Sequence, residues 1–120
     1  MHLKKKLGQH FLVDQNIINK LIKNISPNEK DSIIEIGPGD GALTKSIIPY
    51  VKNICLIEKD KGLISGLDFV LKSYKGSNVI NQDVLEFDFN IFECPFRIIG
   101  NLPYNICLLY TSPSPRDVEE

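Results

Sequence analysis

The sequence predicts an α/β fold built on a parallel, doubly wound sheet. Four short apolar runs alternate along the chain with segments whose apolar residues recur at helical spacing. The first run ends in a turn with glycines at positions 37, 39 and 41, and a helical pattern follows it. Alternating strands and amphipathic helices are typical of parallel sheets, because a helix supplies each crossover connection. A chain of 120 residues is long enough for one hydrophobic core, which predicts a single domain at most.

The amino-terminal half of the chain contains a helix, the first strand and a second helix. Asp14 is a suitable N-cap for the first helix, whose apolar stripe continues to Ile25, where Ser26-Pro27 ends it. The strand consists mostly of β-branched residues, and Pro49 closes or kinks the helix that follows the glycine turn. The apolar stripe of the first helix spans residues 17–25, and the strand and the second helix are predicted over residues 32–36 and 42–48.

The alternation continues in the second half. The predicted elements are a strand over residues 53–57 that ends at Glu58, a helix over 61–74, a short strand from Val79 into Gln82-Asp83, and a fourth strand over 96–99. An acidic and aromatic segment, residues 84–92, separates the last two strands. Residues 111–120 contain two prolines, little apolar content and no periodicity, which predicts disorder.

Composition and charge exclude several classes of protein. The formal net charge is −1, although lysines dominate the first 30 residues. The run Lys4–Lys6 predicts either a contact with nucleic acid or a solvated chain end. The three cysteines form no C-x-x-C pair, which indicates reduced thiols rather than disulfides or a metal site. No apolar run has the length of a signal peptide core or a membrane span, so we expect a cytoplasmic protein.

A distinctive residue or motif follows each of the four predicted strands. They are residues 37–41, Glu58, Asp83 and residues 101–104. Taken singly, these have ordinary explanations: a tight turn, a solvated acid, a helix cap and a β-turn. The carboxyl ends of parallel strands meet at one edge of the sheet, where such folds bind ligands. The coincidence of all four therefore predicts one pocket.

The first three strand ends indicate a nucleoside cofactor. Glu58 lies 17 residues after Gly41, close to the spacing at which an acid accepts hydrogen bonds from both ribose hydroxyls. The turn reads G-x-G-x-G rather than G-x-G-x-x-G, and no obvious second phosphate contact lies near it. This pattern favours S-adenosylmethionine over a dinucleotide. Asp83 could then accept a hydrogen bond from the adenine amine.

The fourth strand end, Asn101-Leu102-Pro103-Tyr104, indicates a site for a nucleobase. The Asn101 side-chain carbonyl and a carbonyl beside the proline can both accept from one exocyclic amine. Tyr104 offers a flat face on which a base can stack, as in enzymes that act on bases taken out of a helix.

These motifs together resemble the ribosomal RNA adenine dimethyltransferases. The resemblance covers residues 3–106 and rests on residues 5–14, 35–44, Glu58, Gln82-Asp83 and 100–106. It implies the Rossmann-like sheet of a class I methyltransferase, truncated here after the fourth strand. It also implies an enzyme that uses S-adenosylmethionine to dimethylate two adjacent adenosines in the 3′-terminal hairpin of small-subunit RNA. The implied partner is a pre-30S-type particle, with no membrane, no metal and a monomeric full-length enzyme.

The resemblance also implies roles for particular residues. His10 and Leu12 line the cofactor entrance, and Asn101 lies near both the methyl donor and the target amine. Pro103 helps to hold that amine, and Tyr104 stacks on the target base. The implied cofactor-binding set is His10, Leu12, Gly37, Gly39, Glu58, Asp83 and Asn101, and the implied catalytic set is Asn101, Pro103 and Tyr104. Transfer is expected to be direct and in line, with positioning supplying most of the rate.

The sequence departs from the family pattern at Cys107. We therefore expect residues 1–107 to be the amino-terminal part of a methyltransferase domain, and residues 108–120 to be a disordered or foreign tail. A fourth strand without an outer neighbour would leave an apolar edge exposed and favour aggregation. Two alternatives stay open: a methyltransferase acting on another adenine-containing nucleic acid, and a non-enzymatic ribosome-assembly factor that binds RNA.

Overall fold

A computed structural model describes residues 14–92, 95–101 and 106–111, with the backbone alone for Asn101 and 106–111. Strands and helices alternate over most of this range. In chain order the elements are α1 (Gln15–Ile25), β1 (Ser32–Ile36), α2 (Ala42–Ile47), β2 (Asn53–Glu58), α3 (Ile64–Leu71), β3 (Asn78–Asn81), β4 (Arg97–Asn101) and β5 (Ile106–Thr111). Short 3-10 turns cover Ile48–Tyr50, Lys61–Leu63, Val84–Glu86 and Phe89–Ile91.

The strands form one sheet in the order β3-β2-β1-β4-β5. β1 pairs in parallel with β2 and β4, and β2 pairs in parallel with β3. Strand order reverses between β1 and β4, which is the point where open α/β sheets bind ligands. The predicted parallel, doubly wound sheet is confirmed for these four strands.

The first helix follows from its sequence. The Asp14 side chain accepts the Asn16 N–H at 2.9 Å, as predicted for an N-cap. Ser26 ends the helix in the left-handed conformation, with φ of 51°. The buried face carries Ile18 and Ile25, so the predicted apolar stripe belongs to the core.

One face of the sheet is covered by helices. Each of α1, α2 and α3 contributes residues to a single core cluster with one side of β1, β2 and β4. Its fully buried members include Ile33, Leu43, Ile47, Leu56 and Ile99. The helices therefore fix the positions of the strand ends that they connect.

The opposite face is covered by the acidic and aromatic segment in place of a helix. Four phenylalanines, at positions 87, 89, 92 and 96, form ring contacts with centroid distances of 4.8–6.3 Å. They pack with Ile34, Ile57 and Ile98. Because right-handed crossovers that run in opposite directions along a sheet lie on opposite faces, the return from β3 to β4 belongs on this side. Cys55 is a buried free thiol on the same face.

The fifth strand corrects one expectation. Residues 108–111 were expected to belong to a disordered or foreign tail, but they continue β5, which pairs antiparallel with the outer edge of β4. The edge of β4 is therefore not exposed. The strand was missed because Leu108-Leu109-Tyr110 is a short apolar run without alternation, which periodicity alone does not assign. The division at residue 107 stays a prediction, and residues 112–120 lie outside the described residues.

Arg97, the first residue of β4, bonds to two neighbouring segments at the amino-terminal end of the strands. Its Nη1 forms a salt bridge with the Asp31 carboxylate at 2.8 Å. Its Nη2 donates to the carbonyl oxygen of Ile25, at the end of α1, at a distance of 2.5 Å. These contacts lie at the end of the sheet opposite to the glycine turn.

Gly41 and Gly66 provide a matched test of the packing beside this turn. Gly41 has φ of 88°, and an added Cβ would lie 3.3 Å from Leu67 Cδ2 of α3. Gly41→Ala is therefore expected to destabilise the fold by about 1–2 kcal/mol. Gly66 lies inside α3 with open space around an added Cβ, so Gly66→Ala should stabilise by about 0.5–1 kcal/mol. Urea unfolding measures both, and equal stability of the two variants would contradict this account.

Candidate cofactor-binding site

The glycine turn leaves β1 through residues with positive φ. Gly37, Gly39 and Gly41 have φ values of 66°, 62° and 88°, which side chains with a Cβ rarely adopt. The Gly37 N–H donates to the Ile57 carbonyl oxygen at 2.9 Å and keeps the turn attached to the sheet. The Gly41 N–H donates to the Pro38 carbonyl oxygen at 3.0 Å and closes the turn. Gly37 and Gly39 lack side chains at the start of the turn, as close approach by a ligand requires, whereas the missing Cβ of Gly41 makes room for Leu67 of α3.

Glu58 ends β2 beside this turn and is held by two backbone donors. Its Oε1 accepts the Gly39 N–H at 3.3 Å, and its Oε2 accepts the Asp60 N–H at 2.9 Å. Only 7% of the residue is exposed. A carboxylate has about four lone-pair positions, so both oxygens can accept further hydrogen bonds. The two backbone contacts fix the orientation of the carboxylate.

Glu35 and Thr44 join the strand before the turn to the helix after it. Glu35 is fully buried, and Thr44 donates its hydroxyl to Oε1 at 2.5 Å. Within the described residues, Oε2 has no hydrogen-bond partner. Burial is the main reason that the pKa of Glu35 is raised from 4.5 to about 7; the bond from Thr44 lowers this pKa, and the charge of Glu58 raises it. The carboxyl group is therefore partly protonated near neutral pH.

Asp83 follows β3 and caps the turn after it. Its Oδ1 accepts the Leu85 N–H at 2.9 Å at the start of the 3-10 turn Val84–Glu86. One oxygen of this acid, Oδ1, therefore acts as a helix cap, which is the ordinary explanation for an acid at this position. The residue is partly exposed, and its proposed contact with adenine stays a prediction.

The strand registers bring three of the predicted positions together. Ile36 of β1 lies between Ile57 of β2 and Gly100 of β4. Glu58 and Asn101 are the next residues of those strands, so both flank the start of the glycine turn. The backbone positions of β1, β2 and β4 therefore show the predicted convergence of strand ends.

Several predicted site residues cannot be placed in this way. His10, Leu12, Pro103 and Tyr104 lie outside the described residues, as does the side chain of Asn101. Their roles therefore stay predictions.

Sequence reasoning did not assign a role to Asn81, which ends β3 opposite Glu58. Its Nδ2 donates to the carbonyl oxygens of Glu58 at 3.0 Å and Lys59 at 3.2 Å. An asparagine at a strand end is equally typical of a turn, so no sequence signal marks this contact. The sequence contains a weak signal for Glu35, since it is the one charged residue inside the apolar run over residues 32–36.

Neither a metal centre nor a membrane-spanning helix is found in the part of the chain that the structure describes. No group of three or more His, Cys, Asp or Glu side chains within it could hold a metal ion. Its helices are all too short or too polar to cross a membrane.

The strand order, the glycine turn and the acid at the end of β2 define a Rossmann-like domain of the class I methyltransferase type. A family model described as ribosomal RNA adenine dimethylase matches residues 1–111. The chain belongs to this family.

Curated relatives show the same relationship. The ribosomal RNA small subunit methyltransferase A of Malacoplasma penetrans is 42% identical over 104 residues, which cover 85% of this chain and 37% of that protein. The protein of the same name from Nitrosomonas europaea is 46% identical over 104 residues, covering 86% of this chain and 39% of the relative. The chain therefore spans about two fifths of the length of these relatives.

Solved structures agree on the fold. A dimethyladenosine transferase from Plasmodium falciparum superposes with a TM-score of 0.66 at 26% identity, over 77% of this chain and 33% of that chain. The 23S rRNA methyltransferase ErmE superposes with a TM-score of 0.67 at 25% identity, over 76% of this chain and 36% of that chain.

Proposed function

We propose that the chain is the S-adenosylmethionine-binding part of an enzyme that dimethylates two adjacent adenosines in the 3′-terminal hairpin of small-subunit ribosomal RNA. The observation that carries the proposal is Glu58, a nearly buried carboxylate fixed by two backbone donors at the edge of a glycine turn. This arrangement fits a ribose diol beside a group that needs close backbone approach. Family membership supports the reaction and the substrate.

The residues of the chain bind and orient the two reactants. Glu58 accepts hydrogen bonds from the ribose hydroxyls, Asp83 accepts from the adenine amine, and the turn at Gly37 and Gly39 admits the methionine moiety. When bound, the cofactor supplies an electrophilic methyl group on a sulfonium sulfur. The rate then depends mainly on how well the protein orients the target amine.

The target adenine is held by the fourth strand end. Carbonyl oxygens at Asn101 and Pro103 accept hydrogen bonds from the exocyclic amine and turn its lone pair toward the methyl group. Tyr104 stacks on the base. His10 and Leu12 border the cofactor entrance. The expected partner is a pre-30S-type particle in the cytoplasm, and the full-length enzyme is expected to act as a monomer.

Titration of the chain with S-adenosylmethionine tests the cofactor assignment, and Asp83→Ala is the informative variant. Losing the one hydrogen bond that the adenine amine donates to this carboxylate should weaken binding about tenfold or more. Asp88→Ala is a matched control, because Asp88 caps the next 3-10 turn through a 2.9 Å bond to the Asn90 N–H. Calorimetry should show weaker binding for Asp83→Ala alone. Equal affinity of both variants and the wild type would show that Asp83 does not bind the cofactor.

Methyl transfer by the full-length enzyme from labelled cofactor to small-subunit particles, with DNA as competitor, tests the substrate. Transfer to adenosine in the particles alone supports the proposal, and transfer to DNA favours the alternative methyltransferase. Strong, salt-sensitive RNA binding without cofactor affinity would favour the non-enzymatic assembly factor.

A further inference from the structure

We propose that Asn81 is a positioning residue of the cofactor site, acting through the backbone that carries Glu58. The inference rests on the proposed function and adds to it a residue that touches neither the ribose nor the adenine. Asn81 fixes the turn after β2, and that turn orients the carboxylate.

The contacts are specific to a side-chain amide. Nδ2 donates to the carbonyl oxygens of both Glu58 and Lys59, at 3.0 and 3.2 Å. The Glu58 carbonyl also accepts the Gln82 N–H at 3.1 Å. An amide nitrogen has two N–H donors, so one group can satisfy two successive carbonyls. Asn81 thus continues the link between β2 and β3 past the last pair of their register, Glu58 and Asn81.

The link to the carboxylate passes through one peptide unit. The Lys59 carbonyl belongs to the same planar peptide as the Asp60 N–H. That N–H donates to Glu58 Oε2 at 2.9 Å. Fixing the carbonyl therefore fixes the direction of the donor that orients the carboxylate. Asn81 also lies two residues before Asp83. Its side chain therefore links the end of β2, which carries Glu58, to the end of β3, which leads into Asp83.

The same geometry explains why substitution should affect binding more than folding. Asn81 is an exposed residue, so its two acceptors can bond to water when it is removed. The strands remain paired by their backbones, while the peptide between Lys59 and Asp60 loses the bond that fixes its carbonyl and keeps the bond from its N–H to Glu58. The carboxylate then binds the diol only after being ordered again, which lowers affinity.

Asn78 offers a matched control at the opposite end of the same strand. It is an exposed asparagine, and its register partner is Cys55. Asn81→Ala is expected to weaken binding of S-adenosylhomocysteine about tenfold, and Asn81→Asp by more, because a carboxylate would face two carbonyl oxygens. Asn81→Ser keeps one donor and should recover part of the loss. Asn78→Ala and Asn78→Asp should bind like the wild type.

Calorimetry with S-adenosylhomocysteine and with 5′-methylthioadenosine measures these affinities. Both ligands contain the adenosine that the two acids recognise, so Asn81→Ala should lower both affinities by the same factor. Hydrogen exchange of the unliganded chain should show faster exchange at the Asp60 amide in Asn81→Ala than in Asn78→Ala, with equal midpoints of urea unfolding.

The outcomes separate the two proposals. If the wild type binds neither ligand, the proposed function fails and this inference fails with it. If the wild type binds and Asn81→Ala binds equally well, the proposed function stands and the positioning role is overturned. If binding falls only in proportion to a lower stability, without a change at the Asp60 amide, Asn81 is structural and the inference is also overturned.

Discussion

Glu35→Gln is expected to make the chain more stable than the wild type at pH 8, by up to roughly 3 kcal/mol. The reason is that the fold buries this carboxyl group completely and leaves Oε2 without a partner in the described residues. Burial is the largest cause that raises its pKa from 4.5 to about 7. An ionised carboxylate in this position costs more free energy than a neutral amide of nearly the same shape, even though the amide nitrogen would also lack a partner there.

The sign of the pH dependence follows from which state binds the proton. Below pH 4.5 Glu35 is protonated in both the folded and the unfolded chain, so it contributes no penalty. Between pH 4.5 and about 7 the folded state keeps the proton and the unfolded state loses it. The free energy of unfolding therefore falls as pH rises through this range and levels off above it.

Urea unfolding at several pH values between 4 and 8.5 measures this contribution. The wild type should lose stability relative to Glu35→Gln across the range, and the difference should be constant above pH 8. Glu29→Gln, which removes an exposed carboxylate, is the control and should follow the wild type. Parallel curves for Glu35→Gln and the wild type would show that Glu35 has an ordinary pKa.

Glu58→Ala is expected to lower affinity for S-adenosylmethionine at least about 100-fold. Two hydrogen bonds from ribose hydroxyls to a charged acceptor are lost, each contributing about 1.5–3 kcal/mol. The change also removes the acceptor of the Gly39 and Asp60 amides, so the glycine turn loses a contact that shapes it.

Glu58→Gln tests whether the affinity depends on the charge of this side chain or only on its shape. The side-chain amide would direct an NH₂ group at either the Gly39 or the Asp60 N–H, and two donors would face each other. We therefore expect glutamine to restore little of the affinity. Glu86→Ala, an exposed acid on the turn after β3, is the control. Calorimetric titration measures all three variants, and wild-type affinity in Glu58→Ala would exclude Glu58 from the ribose site.

The sequence predicted the first four strands and the edge at which their ends meet, because those features depend on local pattern. β1 over residues 32–36 and the Asp14 cap agree with the prediction. The helix predicted over residues 61–74 is instead a 3-10 turn followed by α3, which ends at Leu71. Exact ends of elements depend on tertiary packing, which periodicity does not report.

What the sequence did not predict depends on contacts between distant segments. The antiparallel pairing of β5 with β4 is a choice of partner, and a short apolar run does not specify a partner. The bonds from Asn81 to Glu58 and Lys59 span 23 and 22 residues. The burial that raises the pKa of Glu35 arises only when α2 packs on β1.

The contacts of Arg97 have a consequence for the order of folding. They join residues 66 and 72 positions apart in the chain, so their formation closes the longest loops described above. Contacts of this span carry a larger loop-closure cost than the β1–β2 and β2–β3 pairings. During synthesis from the amino terminus, β1 to β3 can therefore pair before β4, which carries Arg97, joins the sheet. We therefore expect the Glu58 side of the sheet to fold before β4.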